Sequence, residues 1–431
     1  MIKVINGNSI EELKKFPDNY FGSVVTDPPY GLSAARNSGK KSKGGFMGKK
    51  WDYDVPSVEL WKEVFRVLKE GGHLLAFAGT RTQHRMAVNI EDAGFEIRDM
   101  IAWVYGSGFP KSHNIGKAVD KLQGNERKTL GRNKNSRENC DTTNTLYESG
   151  TVGKTDYITK GNSEWEGWGT ALKPALEPIT MARKPFKTSV AENVLKNGVG
   201  GINIDGCRVG TEVITNNVND FSNQHGNKFG NGKPIKKLGE SKVVGRFPAN
   251  FIHDGSDEVT DLFPETKSGK IKPHKRLQQN NIKFNINTED TTYFLGDKGN
   301  ASRFFYCAKA SKQDRNEGLE DFEYKRKADR KKEDGKGGEN PRNRTNTKKQ
   351  NHHPTVKPTD LMRYLVRLVT PKNEIVLDCF MGSGSTGKAC ALEGLSFVGI
   401  DLDKDYCKIA KARIDKALED KRIMDSQTKL F

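Results

Sequence analysis

Apolar positions along the 431-residue chain concentrate at its two ends, where they alternate between strand and helix spacing. Lys3–Ile5 is a short strand candidate, and Ile10–Phe16 reads as a helix that Pro17 ends. Ser23–Thr26 is a second strand, stopping at Asp27-Pro28-Pro29-Tyr30. Trp61, Val64, Phe65 and Leu68 follow helical spacing up to Gly71-Gly72, which stop the helix. His73–Ala78 is then a near-continuous apolar run, the pattern of a strand buried on both faces of a parallel sheet. A further amphipathic stretch leads to the strand Met100–Tyr105. At the other end, Leu361, Tyr364, Leu365, Leu368 and Val369 form a helical stripe after Thr359-Asp360. Glu374–Leu377 and Ser396–Ile400 are strands, and Tyr406, Ala410, Ile414 and Ala417 mark a last helix. This alternation predicts an α/β fold.

Between roughly 121 and 350 the pattern lapses. Asn, Gly, Lys and Thr dominate, as in Asn216–Gly232 and Gln278–Asn287, and 325–350 holds eleven Lys/Arg against four Asp/Glu. Shorter ordered pieces interrupt this span at Leu172–Pro185, Val199–Val209, Arg246–His253 and Arg303–Ala308. The chain therefore divides at 1–120, 121–350 and 351–431, and its length exceeds that of one ordinary core. The net charge of +17 favours a polyanionic partner, and a mean hydropathy of −0.75 predicts much exposed structure beside the core. No apolar run is long enough to span a membrane, and the N-terminus lacks a long apolar signal region. The six cysteines form no C-x-x-C pair and the eight histidines show no metal-ligand spacing, which argues against a metal site and for a reduced, cytoplasmic setting.

Two turns carry candidate chemistry. Gly382-Ser383-Gly384 follows a strand and opens a helix, where backbone N–H groups can approach a ligand closely, and Asp401 ends the next strand, placed to accept from ribose hydroxyls. Gly382 through Lys388 also spells G-x-x-x-x-G-K, but the next residue is Ala389, so the hydroxyl that would hold magnesium is missing. A dinucleotide reading fits Gly382, Gly384 and Gly387, yet no second nucleotide-binding half follows. Asp27-Pro28-Pro29-Tyr30 suits amino-group chemistry. An amine conjugated to a base ring is a poor nucleophile, and the Asp27 carboxylate with the Pro28 carbonyl could accept its two N–H bonds. The prolines hold those acceptors, and Tyr30 offers a face for a flipped base.

With these pieces the chain resembles the amino-group DNA methyltransferases of the permuted beta class, which use S-adenosylmethionine. The resemblance rests on Asp27–Tyr30, on Phe380-Met381-Gly382-Ser383-Gly384, on His353-Pro354-Thr355-Val356-Lys357-Pro358 and on their order. It implies a circularly permuted Rossmann-like core: a catalytic half over 1–120, a large inserted target-recognition region over 121–350 and a cofactor half over 351–431. It implies that Asp27, Pro28, Pro29 and Tyr30 grip the target amine. Asn8, Lys357, Thr359, Asp378, Phe380, Gly382, Ser383, Gly384, Ser385, Thr386 and Asp401 would surround the cofactor. Many relatives have Pro where this chain has Cys379, and Gly-Asp where it has Gly7-Asn8; Asn8 can still hydrogen-bond an adenine edge.

Asp at the first motif position favours, by the same resemblance, adenine N6 over cytosine N4. A binding protein that has lost catalysis, or an RNA or protein methyltransferase, are the rival readings. Double-stranded DNA is the expected partner, with a restriction endonuclease and a second copy of the chain as further candidates. Gly31–Lys50 is expected either as a mobile loop that contacts phosphates and orders over the base or as a disordered connector, and Trp103 and Tyr105 as core residues beside the pocket rather than faces that stack on the base.

Overall fold

In the computed structural model the two ends of the chain meet in one nine-stranded sheet. The structure describes residues 1–31, 54–108, 112–132, 157–220, 236–267, 298–309, 311, 313–323 and 350–428. All of the expected loop Gly31–Lys50 except Gly31 lies outside them, as does nearly all of the basic run 325–350. The first elements are β1 (Ile2–Asn6), α1 (Ser9–Leu13), β2 (Phe21–Thr26), α2 (Val58–Val67), β3 (Leu68–Phe77), α3 (Gln83–Asp92) and β4 (Glu96–Val104). There follow α4 (Ile115–Gln123), β5 (Lys128–Arg132), β6 (Tyr157–Lys160), β7 (Leu176–Arg183), α5 (Val190–Asn197), β8 (Val209–Asp220), β9 (Lys236–Arg246) and β10 (Phe251–His253). The rest are α6 (Asp257–Thr260), β11 (Glu265–Lys267), β12 (Lys298–Asn300), β13 (Tyr306–Cys307), α7 (Gln313–Asn316), α8 (Thr359–Val369), β14 (Ile375–Asp378), α9 (Ser385–Glu393), β15 (Ser396–Asp401) and α10 (Lys404–Thr428).

The sheet runs β1-β15-β14-β2-β3-β7-β4-β10-β13. Every pairing is parallel except the two made by β7. β14 lies beside β2, with Val376 opposite Ser23, although more than 350 positions separate them. β15 lies beside β1, from Ile2 opposite Phe397 to Asn6 opposite Asp401, and the N-terminal ammonium donates to Ser396 Oγ at 3.0 Å. The chain's start and end are thus spliced into one Rossmann-like α/β sheet, in permuted order. From the β14/β2 boundary the chain winds outward both ways, which makes it the topological switch point where such sheets bind ligands.

Helices cover both faces. The α8 stripe of Leu361, Tyr364, Leu365, Leu368 and Val369 is buried as its spacing predicts, packing with residues of α9 and α10 such as Ala389, Cys390, Ala410 and Ile414. On the other face Leu13, Trp61, Val64 and Ile90 close over Phe21, Leu74 and Val398. Each such fully buried side chain contributes about 1.5–3 kcal/mol from water exclusion alone.

Two sequence expectations change. The helix around Trp61 ends at Val67 rather than at Gly71-Gly72, and the strand begins at Leu68 and runs through both glycines. Gly71, at φ +82°, lets the strand bulge there: Phe21 sits opposite Leu68, but Ser23 sits opposite His73. Nor is 121–350 one block outside the core, because β7, β10 and β13 all enter the sheet from it. These strands fall within or beside the ordered pieces of that span, Leu172–Pro185, Arg246–His253 and Arg303–Ala308. Their burial follows from their apolar runs, as in Ile179, Met181 and Ala182 of β7.

The described residues form two compact units, one from Met1–Gly106, Leu176–Arg326 and Lys348–Phe431, the other from Ser107–Ala175. Within the second, Asn114 caps α4 by accepting from Lys117 N at 2.8 Å, and Arg127 bonds Asp120 and Glu166. Trp165 and Trp168 stand edge to face at 5.1 Å with their rings partly exposed. Among the described residues no helix is long and apolar enough to cross a membrane.

Candidate active site

Because β14 and β2 are parallel neighbours, the turns that follow them leave the same edge of the sheet. Thr26, the last residue of β2, donates its hydroxyl to Asp378 Oδ1 at 2.6 Å, tying the two turns together. Asp378 is buried and its other oxygen accepts from Thr386 Oγ1 at 2.5 Å, while Phe380 N donates to Oδ1 at 3.1 Å. Both carboxylate oxygens are thus used inside the protein, so Asp378 shapes the glycine turn.

The turn itself takes conformations that favour glycine. Gly382 has φ +53° and Gly384 φ +78°. A Cβ on Gly382 would stand 2.7 Å from the His353 ring, and one on Gly384 2.7 Å from Ala410 Cβ. Gly382 N donates to Asp401 Oδ2 and Asp403 N to Asp401 Oδ1, both at 2.8 Å. Behind the turn lies Arg413, fully buried, which donates to the carbonyl and hydroxyl of Ser383, to Ser385 Oγ and to the Asp314 carbonyl. Lys388, the lysine of the G-x-x-x-x-G-K spelling, is buried against Glu317 and Asp314. Its ammonium is committed to those acids rather than to a ligand's phosphate.

Asp27 and Tyr30 leave β2 beside this turn, with Pro28 buried and Pro29 half-buried between them. Tyr30 Oη lies 2.8 Å from Asp27 Oδ1 and 2.9 Å from Glu177 Oε2. Lys357 Nζ donates to Asp27 Oδ2 at 2.6 Å and to Tyr30 Oη at 3.1 Å, and stands 3.2 Å from Glu177 Oε2. Tyr105 donates to Glu177 Oε1 at 3.3 Å. Burial and the two carboxylates raise the Tyr30 hydroxyl well above its ordinary value, and burial with Glu177 raises that of Tyr105, so both stay protonated donors. Lys357 stays charged: Asp27 and Glu177 outweigh the desolvation that would discharge it. An acidic cup that binds N–H groups therefore sits beside a buried glycine turn packed against His353 and Ala410.

A DNA methylase family model matches residues 22–412. The chain belongs to the DNA methylase family. The type II methyltransferase M.HindIII of Haemophilus influenzae is 28% identical over 232 residues, 46% of this chain and 64% of that protein. The DNA adenine methyltransferase YhdJ of Escherichia coli is 36% identical over 66 residues, 15% of this chain and 24% of that protein. The matches thus span less than two thirds of these relatives' lengths. Among solved structures, a putative DNA modification methylase of Thermus thermophilus is 15% identical with TM-score 0.40, covering 97% of this chain and 96% of that one.

In this methylase the expected site residues separate by role. Asp27, Pro28, Pro29 and Tyr30 form the acidic cup, and Phe380, Gly382, Ser383, Gly384 and Asp401 form the glycine turn. Lys357, expected at the cofactor, bonds Asp27 and stands by Glu177 in the cup. Ser385 and Thr386 point inward to Arg413 and Asp378. Thr359 donates to Asp314 Oδ1 at 2.6 Å, and Asn8 caps α1 by accepting from Ile10 N at 3.0 Å. Trp103 is buried in the core, as its place on the strand suggests. Glu177 and Arg413 were not singled out by the sequence. Glu177 had a signal, a lone acid opening the apolar run that becomes β7; Arg413 had none within an ordinary charged helix.

Asp378 ties the stability of the fold to pH. Burial raises its carboxyl to about 6, against the hydrogen bonds from Thr26, Thr386 and Phe380 that lower it. A carboxyl raised from about 4 in the unfolded chain makes the fold lose stability as pH climbs between those values, with no further loss above them. Urea unfolding should therefore show wild type gaining on Asp378→Asn when pH drops from 7 to 4.5. Parallel stability curves for the two proteins would contradict the assignment.

Proposed function

We propose that this methylase transfers a methyl group from S-adenosylmethionine to adenine N6 of a base flipped out of double-stranded DNA. The observation that carries the reading is the placement of the Asp27–Tyr30 cup and the Gly382–Gly384 turn on adjacent strands, joined by the Thr26–Asp378 hydrogen bond. Family membership and the names of the relatives support the choice of DNA and of adenine. S-adenosylmethionine fits the chemistry of the residues present: Asp401 keeps acceptor capacity for a ribose hydroxyl beyond its two backbone partners, and only glycine lets the turn pack against His353 and Ala410 beside it. When bound, that cofactor supplies a methyl group on an electrophilic sulfonium.

The chain's own residues do the rest. Asp27 accepts an N–H of the target amine and draws electron density onto its nitrogen; as the nitrogen–methyl bond forms the sulfur–methyl bond breaks, and the amine's surplus proton leaves to solvent. Pro28 and Pro29 fix that acceptor. Tyr30, held by Asp27 and Glu177, offers its ring to the extruded base. The surplus of positive charge supplies phosphate contacts that position the duplex without reading it. The type II names of the relatives suggest a restriction endonuclease sharing the same recognition sequence.

The test is nucleoside mass spectrometry of unmethylated DNA after incubation with protein and S-adenosylmethionine. N6-methyladenine is expected. N4-methylcytosine would overturn the choice of base, and methylation of RNA or protein alone would overturn the choice of DNA.

A further inference from the structure

The cup that should receive an amine already holds a cation. The Lys357 ammonium spends its hydrogens on Asp27 at 2.6 Å and Tyr30 at 3.1 Å, with Glu177 at 3.2 Å, and it sits 4.7 Å from the centre of the Phe77 ring. Its side chain is 9% exposed, whereas those of Asp27 and Glu177 are 21% and 22% exposed. The ammonium therefore lies beneath two carboxylates that reach toward solvent, on the acceptor the target amine needs. Without it the two acids would face each other across one hydroxyl, and like charges so close cannot both stay ionised at ordinary cost.

We propose that Lys357 is the resting occupant of the amine site and that Glu177 is its second berth: the entering amine takes Asp27, and the ammonium shifts onto Glu177 without leaving the cup. This rests on the methyl-transfer reading above. Lys357 then keeps Asp27 ionised as an acceptor between turnovers, and Glu177 is a positioning residue that gives the displaced lysine a partner. Few other groups could titrate in its place. Tyr30 and Tyr105 are held protonated, His353 is held neutral by burial that pushes it down to about 4, and Asp378 faces Thr26 and Thr386 from β14.

The test compares Lys357→Met, Glu177→Gln and the double variant by kcat and KM for DNA between pH 5.5 and 9, with cofactor affinity measured on each. Lys357→Met should move the acid limb of the rate profile upward by about one pH unit, since the facing carboxylates now share a proton. Glu177→Gln should instead raise KM for DNA about tenfold at unchanged cofactor affinity, because the ammonium loses its alternative charged partner and holds Asp27. The double variant should return the acid limb toward wild type and be more active at pH 6 than Lys357→Met. An unshifted limb in Lys357→Met, or a double variant merely as poor as the product of the singles, overturns the proposal. If Lys357→Met does not fold, Glu177→Gln decides alone, and an unchanged KM for DNA overturns it. Wild-type protein that fails to methylate DNA would sink the functional reading itself; an active wild type with unshifted variants would sink only the lysine's role.

Discussion

Asp27→Ala should lower the single-turnover rate of methyl transfer by about a hundred- to a thousandfold, the usual cost of removing one aimed group at a reacting centre. Cofactor affinity should not change. Asp27 sits on the β2 side of the switch point and bonds Tyr30 and Lys357, whereas the groups that shape the glycine turn are Asp378, Asp401 and Arg413. Lys357 keeps Glu177 as a partner at 3.2 Å, so the variant should still fold. Rapid-quench transfer of a labelled methyl group, beside equilibrium titration of the cofactor, separates the two effects. A variant keeping about a tenth or more of the wild-type rate would mean that another group accepts the amine.

The second large effect is expected at Arg413→Ala. The guanidinium is fully buried and donates to four oxygens, three of them on Ser383 and Ser385. Truncation leaves those acceptors unpaired beside an empty volume, and each mechanism alone is costly. Together they should remove about 3–5 kcal/mol of stability. Burial already pushes the guanidinium down to about 10, so it remains charged at neutral pH and Asp314 and Glu317 would lose a cation on its removal. Urea unfolding measures the loss, and calorimetry on the folded fraction should show weaker S-adenosylmethionine binding, because the glycine turn has lost its backing. Unchanged affinity at reduced stability would show that the turn holds its shape without Arg413.

Sequence patterns reach some of these residues and miss others for physical reasons. Asp27 and Gly382 were legible because each stands at the end of an apolar strand, where the period of two breaks into a turn and chemistry concentrates. The α/β class was legible because strand and helix alternate at both ends of the chain, and the permuted order because the resemblance places Asp27–Tyr30 before Phe380–Gly384. Arg413 was not, since a helix facing both core and solvent carries charges throughout, and nothing in its spacing marks the buried one. The bond from Lys357 to Asp27 was not legible, because a segment between two prolines has no period from which to read direction. Glu177 escaped because its strand runs antiparallel to all the others: its functional residue is at the strand's start, whereas the search rule looks at strand ends. The division at 121–350 failed in part for the same reason. Tertiary pairing, not local pattern, drew β7, β10 and β13 into the sheet.

That reversed strand has a consequence for how such a protein can diversify. Val104, the last residue of β4, is the register partner of Leu176, the first of β7, so the chain leaves and re-enters the sheet at a single rung. The described residues between Ser107 and Ala175 belong to the separate unit, which the chain enters and leaves near that rung. Antiparallel neighbours can be closed by a turn of two to five residues, so the sheet sets almost no lower limit on the length of what joins them there. The segment between Gly106 and Leu176 can therefore lengthen or shorten while β4 and β7 keep their register and Glu177 keeps its place beside Asp27.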